Sequence, residues 1–302
     1  MKRIFSIIAL SSLFIAMTAG VPAAGKKHVI TESFDAKKAV KIQTAIGNCQ
    51  VEKSDDGRIL VEILYTVDPD CFEPQFRNRG SRLIIREDID GDTGGGRIFW
   101  VLHIPEETLV QFDSGTGDFK MEGINSDIDV NTGTGEIELI DCRGDLEASS
   151  GTGCILISGC EGEIDVSSGT GRVEIEDSKG YFDASSGTGD VEARGIFIEE
   201  QGDFSSGTGD AQVEHPEGSG YDLEVSSGTG DAILVCEKGN IEGFFQFTAQ
   251  KTGRRISSPI EFDGEEEFYR DDTKYVRKYF TKGSEKNRYY IATGTGKAKL
   301  KL

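Results

Sequence analysis

The tripeptide Gly-Thr-Gly recurs along this 302-residue chain at a nearly constant interval, and this repeat limits the possible folds more than any other feature. The first glycines of its copies are Gly115, Gly133, Gly151, Gly169, Gly187, Gly207, Gly228 and Gly294. Copies up to Gly187 are 18 residues apart, and the next two intervals are 20 and 21 residues. A period of this length is typical of repeat proteins, in which each unit packs against its neighbours.

Apolar residues follow a finer period of nine within the repeats. One series is Phe119, Ile128, Ile137, Leu146, Ile155, Ile164, Val173, Phe182 and Val191. A second series lies two residues later at Met121, Val130, Leu139, Ala148, Ile157, Val166, Ile175, Ala184 and Ala193. The spacing of two puts both side chains of a pair on one face of a strand. Two strands and two turns per 18 residues describe one coil, with coils stacked ~4.8 Å apart.

The two turns of each coil differ in chemistry. The apolar alternation slips by one residue across each Gly-Thr-Gly, and we expect glycine to supply the backbone angles for that corner. The opposite turn accommodates insertions of two and three residues, at Arg194–Gly202 and Glu214–Asp222. A left-handed hexapeptide helix also has 18-residue coils, but it requires an aliphatic residue every six positions, whereas the period here is nine.

The N-terminus has the pattern of an export signal. Met1-Lys2-Arg3 is followed by an apolar run from Ile4 to Ala19, and Val21-Pro22-Ala23 places small residues at the −3 and −1 positions. We therefore predict a signal peptide over residues 1–23. No later segment has the length and hydrophobicity of a membrane helix. We expect an exported chain without an integral membrane segment after signal removal, in the periplasm, in the cell envelope or secreted.

The segments that flank the repeats are predicted to cap them, because an open solenoid end exposes a sheet edge. Residues 24–109 are interpreted as an N-terminal β cap with the first coil. Residues 110–235 are the regular repeats, and residues 236–302 are C-terminal coils and a cap. The predicted fold is all-β: a single-stranded β-solenoid (β-helix) with 18-residue two-strand coils and β-rich caps at both ends.

The charge of −20 is concentrated in the repeats. Residues 110–235 hold 28 acidic and 5 basic residues, whereas residues 236–302 hold 10 acidic and 14 basic residues. This acidity argues against nucleic acid as a partner, since phosphate backbones are bound by Lys and Arg. Three scattered histidines leave little material for histidine-based catalysis or a His-rich metal site.

Carboxylates recur four positions before the first glycine of successive repeats. This acidic ladder consists of Asp129, Glu147, Asp165, Asp183, Asp203 and Glu224. Like charges one strand apart repel, so the ladder should raise carboxylate pKa values or gather cations such as calcium. The favoured interpretation is a solvated outer face that keeps a long sheet soluble.

Six cysteines are expected to experience an oxidising compartment, where disulfides persist. Cys142 and Cys160 are 18 residues apart and occupy the same place in consecutive coils, so we predict a bridge between them. Cys49 and Cys71 could pair within the N-terminal cap. Cys154 and Cys236 have no obvious partner, and no cysteine has a nearby histidine that would make it a nucleophile.

The repeated motif [Ser/Thr]-Gly-Thr-Gly-[Asp/Glu], followed by an apolar-x-apolar strand, resembles a bacterial β-strand-repeat family of candidate adhesins, classed as a domain of unknown function. The strand Trp100-Val101-Leu102-His103-Ile104-Pro105, just before the repeats, shares the resemblance. It covers the chain from about Phe34 to Leu302. The resemblance implies an exported or envelope protein with a single-stranded β-helix, and it offers no catalytic residues to carry over.

The expected function is that of an exported, non-enzymatic scaffold in adhesion or cell-envelope interaction. Its expected partner is an envelope protein or a glycan, with no cofactor and no catalytic residues. One alternative is a polysaccharide-active enzyme on a β-helix, because acidic pairs are frequent on the surface. The other is an acidic rod that binds divalent cations along Asp129–Glu224.

Overall fold

The computed structural model describes residues 26–237, 241–252 and 255–302. The predicted signal peptide, residues 1–23, lies outside the described residues. The described residues form strands and no helices, which confirms the predicted all-β class. This part of the chain therefore contains no helix long and apolar enough to span a membrane.

Seven strands precede the repeats. They are β1 (His28–Phe34), β2 (Ala39–Thr44), β3 (Asn48–Lys53), β4 (Ile59–Tyr65), β5 (Phe72–Arg79), β6 (Arg82–Ile89) and β7 (Ile98–Ile104). The repeats contain β8 (Leu109–Thr116), β9 (Phe119–Glu122), β10 (Ile128–Thr134), β11 (Ile137–Ile140), β12 (Leu146–Thr152), β13 (Ile155–Ser158), β14 (Glu161–Ser168), β15 (Val173–Glu176), β16 (Lys179–Ser186), β17 (Val191–Arg194), β18 (Phe197–Ser206), β19 (Ala211–Glu214), β20 (Glu217–Gly218), β21 (Asp222–Ser227) and β22 (Ala232–Val235). The C-terminal segment adds β23 (Gly243–Gln250), β24 (Ile256–Ser257), β25 (Gly264–Arg270), β26 (Thr273–Lys282), β27 (Arg288–Thr293) and β28 (Ala298–Lys301).

The strands form two long sheets. Sheet A has the order β1-β4-β7-β3-β9-β11-β13-β15-β17-β19-β22-β28-β24. Sheet B has the order β25-β26-β23-β27-β21-β18-β16-β14-β12-β10-β8-β2-β6-β5, with β20 beside β18. From β8 to β19 the chain alternates between the sheets, and each strand pairs in parallel with its equivalent in the next repeat. Ile128, for example, lies beside Val110 and Leu146. The result is a β-solenoid-like fold.

The core lies between the sheets, where the inward side chains of both meet. All the residues of the two predicted apolar series are buried, so the inward face of each repeat strand is as predicted. Aromatic side chains fill the core where the partner side chains are small. Phe182, for example, packs against Phe204 with ring centroids 6.0 Å apart. One continuous apolar cluster runs from the N-terminal segment to the last strands.

The glycines of the Gly-Thr-Gly corners are required by close approach and not by unusual backbone angles. None of them has a φ angle in the left-handed region, so the predicted reason is wrong. A Cβ atom on Gly133 would lie 2.6 Å from the carbonyl oxygen of Gly115 in the preceding coil. A Cβ atom on Gly171 would lie only 1.9 Å from the carbonyl oxygen of Gly153. The stacked corners therefore leave no room for a side chain.

Buried hydroxyl groups fasten each Gly-Thr-Gly corner to the previous coil. The inward Ser168 donates a hydrogen bond to the carbonyl of Gly153 at 2.9 Å and accepts one from the N–H of Gly171 at 2.8 Å. Equivalent donors to a glycine carbonyl are Thr132, Ser150, Ser186, Ser206, Ser227 and Thr293. These bonds satisfy the hydroxyl groups inside an apolar core, where an unpaired one would be costly.

Both ends of the repeat array are covered by excursions of the chain. β2 and β3 lie inside the array, and the excursion from β4 to β7 covers them on the outer side. At the other end, β27 is inserted between β21 and β23, so the strands β23, β26 and β25 lie outside it. Phe245 stacks on Tyr289 of β27, with ring centroids 4.2 Å apart, and its other contacts include Phe280.

Glu87 closes the first corner of the array, which has the degenerate sequence Ala45-Ile46-Gly47. Its Oε2 atom accepts hydrogen bonds from the N–H groups of Ala45, Ile46 and Gly47, at 2.5, 3.0 and 3.3 Å. Elsewhere a stacked coil supplies the acceptor, as where Gly169 donates its N–H to the carbonyl of Ser150 at 2.9 Å. Within the described part of the chain no further coil stacks on the outer side of this first corner, and the Glu87 carboxylate accepts the hydrogen bonds that the carbonyl groups of such a coil would accept.

Candidate binding face

The acidic ladder predicted from the sequence is a physical column on the outer face of sheet B. Its members lie on neighbouring parallel strands in direct register: Asp129, Glu147, Asp165, Asp183, Asp203 and Glu224. Tyr290 continues the column beyond Glu224, and Gln111 continues it beyond Asp129. The Asp129 carboxylate accepts hydrogen bonds from Gln111 at 3.1 Å and from Asn131 at 2.8 Å. The structure therefore brings all six carboxylates together.

The ladder carboxylates with raised pKa values lie near its C-terminal end. Partial burial, and then the charges of Glu224 and Asp183, raise the pKa of Asp203 to about 6. Partial burial, and then the charge of Asp165, raise the pKa of Asp183. The rise comes from desolvation first and from like charge second, as expected for carboxylates in one column on adjacent strands. Above pH 6 this part of sheet B holds ionised groups at a cost in stability.

A cleft opens beside the raised-pKa carboxylate, at the two insertions. Strand pairing changes register there, since Gly180 lies beside Ile198 whereas Phe182 lies beside Gly202. The inserted segments contribute Glu200, Gln201 and Gly220 to the lining of the cleft. The cleft has a volume of about 600 Å³, and its lining includes Tyr181, Glu200, Gln201, Asp203, Asp222 and Tyr290.

Neither this cleft nor the role of Tyr181 was predicted from the sequence, whereas Tyr290 belongs to a C-terminal cluster of aromatic and basic residues that is visible there. The available signal was the change of the repeat interval from 18 residues to 20 and 21 residues. An insertion was interpreted only as a feature that a solenoid tolerates. Tyr181 was missed because it does not belong to a series that recurs in every repeat.

The acidic ladder does not form a metal cage. Among the described residues, no group of three or more His, Cys, Asp and Glu side chains is arranged so that it could hold a metal ion. Calcium takes six to eight oxygen ligands that converge on one point. Side chains in one column of a sheet project side by side, so the six carboxylates of the ladder do not converge in this way.

All six cysteines are free thiols in the structure, so neither the predicted Cys142–Cys160 bridge nor the possible Cys49–Cys71 pair is formed. Cys142 and Cys160 are buried in consecutive coils as predicted, and the N–H of Cys142 donates to the Cys160 sulfur at 3.4 Å. The Cys160 thiol points to the carbonyl of Leu139, at 3.4 Å. Cys142 and Cys160 therefore contact each other as thiols. Cys49 is buried on the inner side of β3, whereas Cys71 is partly exposed in the loop before β5.

The basic residues of the C-terminal segment are paired locally. On the hairpin of β25 and β26, Lys278 lies 2.9 Å from Glu265, and Arg277 lies 2.6 Å from Glu266. Tyr269, near the tip of this hairpin, is 70% exposed. The hairpin therefore presents a largely neutralised surface, in contrast to the column of carboxylates on sheet B.

Comparison with known proteins gives a family and no activity. No curated protein matches the chain. It is similar to a candidate cell adhesion protein from Clostridium sporogenes (10% identity, 91% of this chain and 98% of that chain, TM-score 0.31). It is also similar to a candidate adhesin from Bacteroides fragilis (15% identity, 90% and 97%, TM-score 0.37). A candidate lipid binding protein from Parabacteroides distasonis has 9% identity over 92% and 97%, with a TM-score of 0.35.

The motif resemblance noted in the sequence is confirmed by a match to a family model. The model of Toastrack DUF4097 matches residues 99–257, which is more than half of the chain. The matched segment begins in β7 and ends in β24, so it includes every regular repeat and the lining residues of the cleft except Tyr290. The chain belongs to the Toastrack DUF4097 family, a domain family of unknown function.

Proposed function

We propose that this chain is an exported, non-enzymatic β-solenoid scaffold of 18-residue two-strand coils that acts in adhesion or cell-envelope interaction. The observation that carries the proposal is the outer face of sheet B, where an unbroken column of six carboxylates runs into a cleft. A face built on long, buried strands holds its side chains in fixed positions. Such a face suits recognition of a partner.

The charge of this face limits the partner. The repeat region carries 28 acidic against 5 basic residues, so an anionic partner would be repelled. Nucleic acid is disfavoured for the same reason. A neutral glycan or an envelope protein with a neutral or basic surface matches the face, and both exist where an exported protein acts.

Binding of the mature chain, residues 24–302, to glycan and envelope-protein arrays tests the proposal. A matched pair of variants tests the face: Ser167→Lys places a positive charge on sheet B, and Leu156→Lys places one on the outer side of sheet A. We expect array binding that Ser167→Lys weakens and Leu156→Lys leaves unchanged. The absence of any ligand, together with measurable hydrolysis of a polysaccharide, would overturn the proposal. N-terminal sequencing of the exported protein tests cleavage after Ala23.

A polysaccharide-active enzyme is the second candidate, and one observation favours it. Asp203, with its pKa raised to about 6, lies beside Glu224, and glycosidases use a protonated carboxyl group next to an ionised one. Release of reducing ends from oligosaccharides tests this candidate. We expect no release by the wild type. Release that Asp203→Asn abolishes would replace the scaffold with an enzyme.

A further inference from the structure

We propose that the cleft between Tyr181 and Tyr290 binds a short, uncharged oligosaccharide lengthwise along the rod. The inference rests on the proposed function and deepens it, because it names the ligand class and the place. It is carried by the aromatic side chains of the cleft, by its size and by the polar groups between the two rings.

The aromatic side chains are exceptional on this surface. Within residues 110–235, all of which the structure describes, only Tyr181 and Phe197 are exposed large hydrophobic side chains, at 38% and 41%. Lys179 covers the Phe197 ring at 5.6 Å from its centroid, and Tyr181 lines the cleft. A tyrosine in a cleft offers a ligand both an apolar ring face and a hydroxyl group, and clefts that bind small molecules are commonly lined by aromatic side chains.

The second ring lies at the far end of the same cleft. Tyr290 on β27 is separated from Tyr181 on β16 by β18 and β21, which makes three strand intervals, or about 14 Å along the rod. The two tyrosines are also offset by two residues along the strands, because Tyr290 lies in the column of Asp183. A small ammonium ion would contact only one of these rings. An oligosaccharide is long enough to place an apolar ring face on each tyrosine. The volume of about 600 Å³ lies within the range usual for small-molecule sites.

The groups between the two rings accept hydrogen bonds. Asp203 and Glu224 lie side by side on adjacent strands, and Gln201 contributes an amide. Sugar hydroxyl groups donate to such acceptors, and bonds to an ionised carboxylate are the stronger kind. Arg288, 4.0 Å from Asp222, is the nearby base. Uronic acids and sialic acids would be repelled by the carboxylates, which restricts the ligand to uncharged sugars.

Titration calorimetry of the mature chain with defined trisaccharides tests the inference. The probes are cellotriose, mannotriose and N-acetylated chitotriose as uncharged sugars, trigalacturonate as an anionic sugar and spermidine as an amine. We expect at least one uncharged trisaccharide to bind, with tenfold or greater weakening in Tyr181→Ala and in Tyr290→Ala. Tyr181→Phe should retain most of the binding, because it keeps the ring. Trigalacturonate should not bind.

Tyr269→Ala is the matched control, since it removes a 70% exposed tyrosine from the distant hairpin and should leave binding unchanged. Binding of none of the uncharged trisaccharides, binding of spermidine alone, or equal binding by Tyr181→Ala and wild type would each overturn the inference. If array ligands still bind Tyr181→Ala, the scaffold proposal stands and only the cleft assignment fails. Loss of array binding altogether would remove the scaffold proposal itself.

Discussion

Replacing Asp203 with asparagine should stabilise the protein at neutral pH, because the folded state disfavours the ionised form of this carboxyl group. The pKa of Asp203 is about 6 in the folded protein and 3.8 as its ordinary value. The folded state therefore keeps a proton that the unfolded chain has already lost between these pH values. The stability that this proton brings is fully present below pH 3.8 and is lost as the pH rises through 6.

The magnitude follows from the pKa difference of about two, which corresponds to about 3 kcal/mol at about 1.4 kcal/mol per pKa unit. Asp203 is partly exposed, so solvent screening reduces this to about 1–1.5 kcal/mol. Urea or thermal denaturation at pH 5 and pH 7.5 measures it. We expect Asp203→Asn to raise the melting temperature at pH 7.5 by about 2–4 °C and to remove the gain that wild type shows on acidification.

Asp129→Asn at the other end of the ladder is the matched control. This carboxylate accepts hydrogen bonds from Gln111 and Asn131, and these bonds stabilise its ionised form. Loss of these charge-assisted bonds should leave stability unchanged or lower it by up to about 1 kcal/mol. The reasoning is refuted if Asp203→Asn lowers the melting temperature at pH 7.5, or if both variants change it equally.

Three further predictions concern the scaffold. Gly171→Ala should destabilise the protein by about 3 kcal/mol or more in urea denaturation, because its Cβ would overlap the carbonyl oxygen of Gly153 in the preceding coil. The neighbouring Thr170→Ala is the control and should change the free energy of unfolding by less than about 0.5 kcal/mol. Glu87→Gln should destabilise the N-terminal end by about 1–2 kcal/mol, and the fluorescence of Trp100, the single tryptophan, should report unfolding at a lower urea concentration. An unchanged transition would contradict the role of the Glu87 carboxylate in closing the first corner. Thiol labelling of unreduced, denatured protein should count six free cysteines, with the exposed Cys154 reacting first in the native protein; a count of four would restore one of the predicted bridges.

The repeats were predictable because every coil repeats the same physical constraints. A buried pair such as Ile137 and Leu139 alternates with partly exposed residues, and this alternation identifies the inward face of each strand. Stacking then forces the register, since a slip by one residue would expose the core. The required glycines were found by the same periodicity. The reason for them is visible only in three dimensions: a Cβ atom at such a glycine would lie 1.9–2.8 Å from a carbonyl oxygen of the preceding coil.

The arrangement of the ends was not predictable, because no repeat specifies it. In residues 24–109 the apolar runs at β4, β6 and β7 are visible in the sequence, whereas β1 and β5 are not. Pro74 and three charged residues interrupt the pattern of β5. The order of strands in the sheets depends on contacts between distant segments, such as β2 with β8. Neither local propensity nor period records that β27 is inserted behind β23.

The candidate site lies where the repeat departs from its own period, and there is a physical reason for this. A position that recurs in every coil has the same residue type above and below it, so it satisfies stacking and offers a ligand a uniform surface. A binding site needs unlike groups close together, here Tyr181, Asp203 and Tyr290. The register shift after Gly180 places these groups around one cleft. In a solenoid of this kind, insertions in the coil interval therefore indicate where to look for the site, more than any recurring residue does.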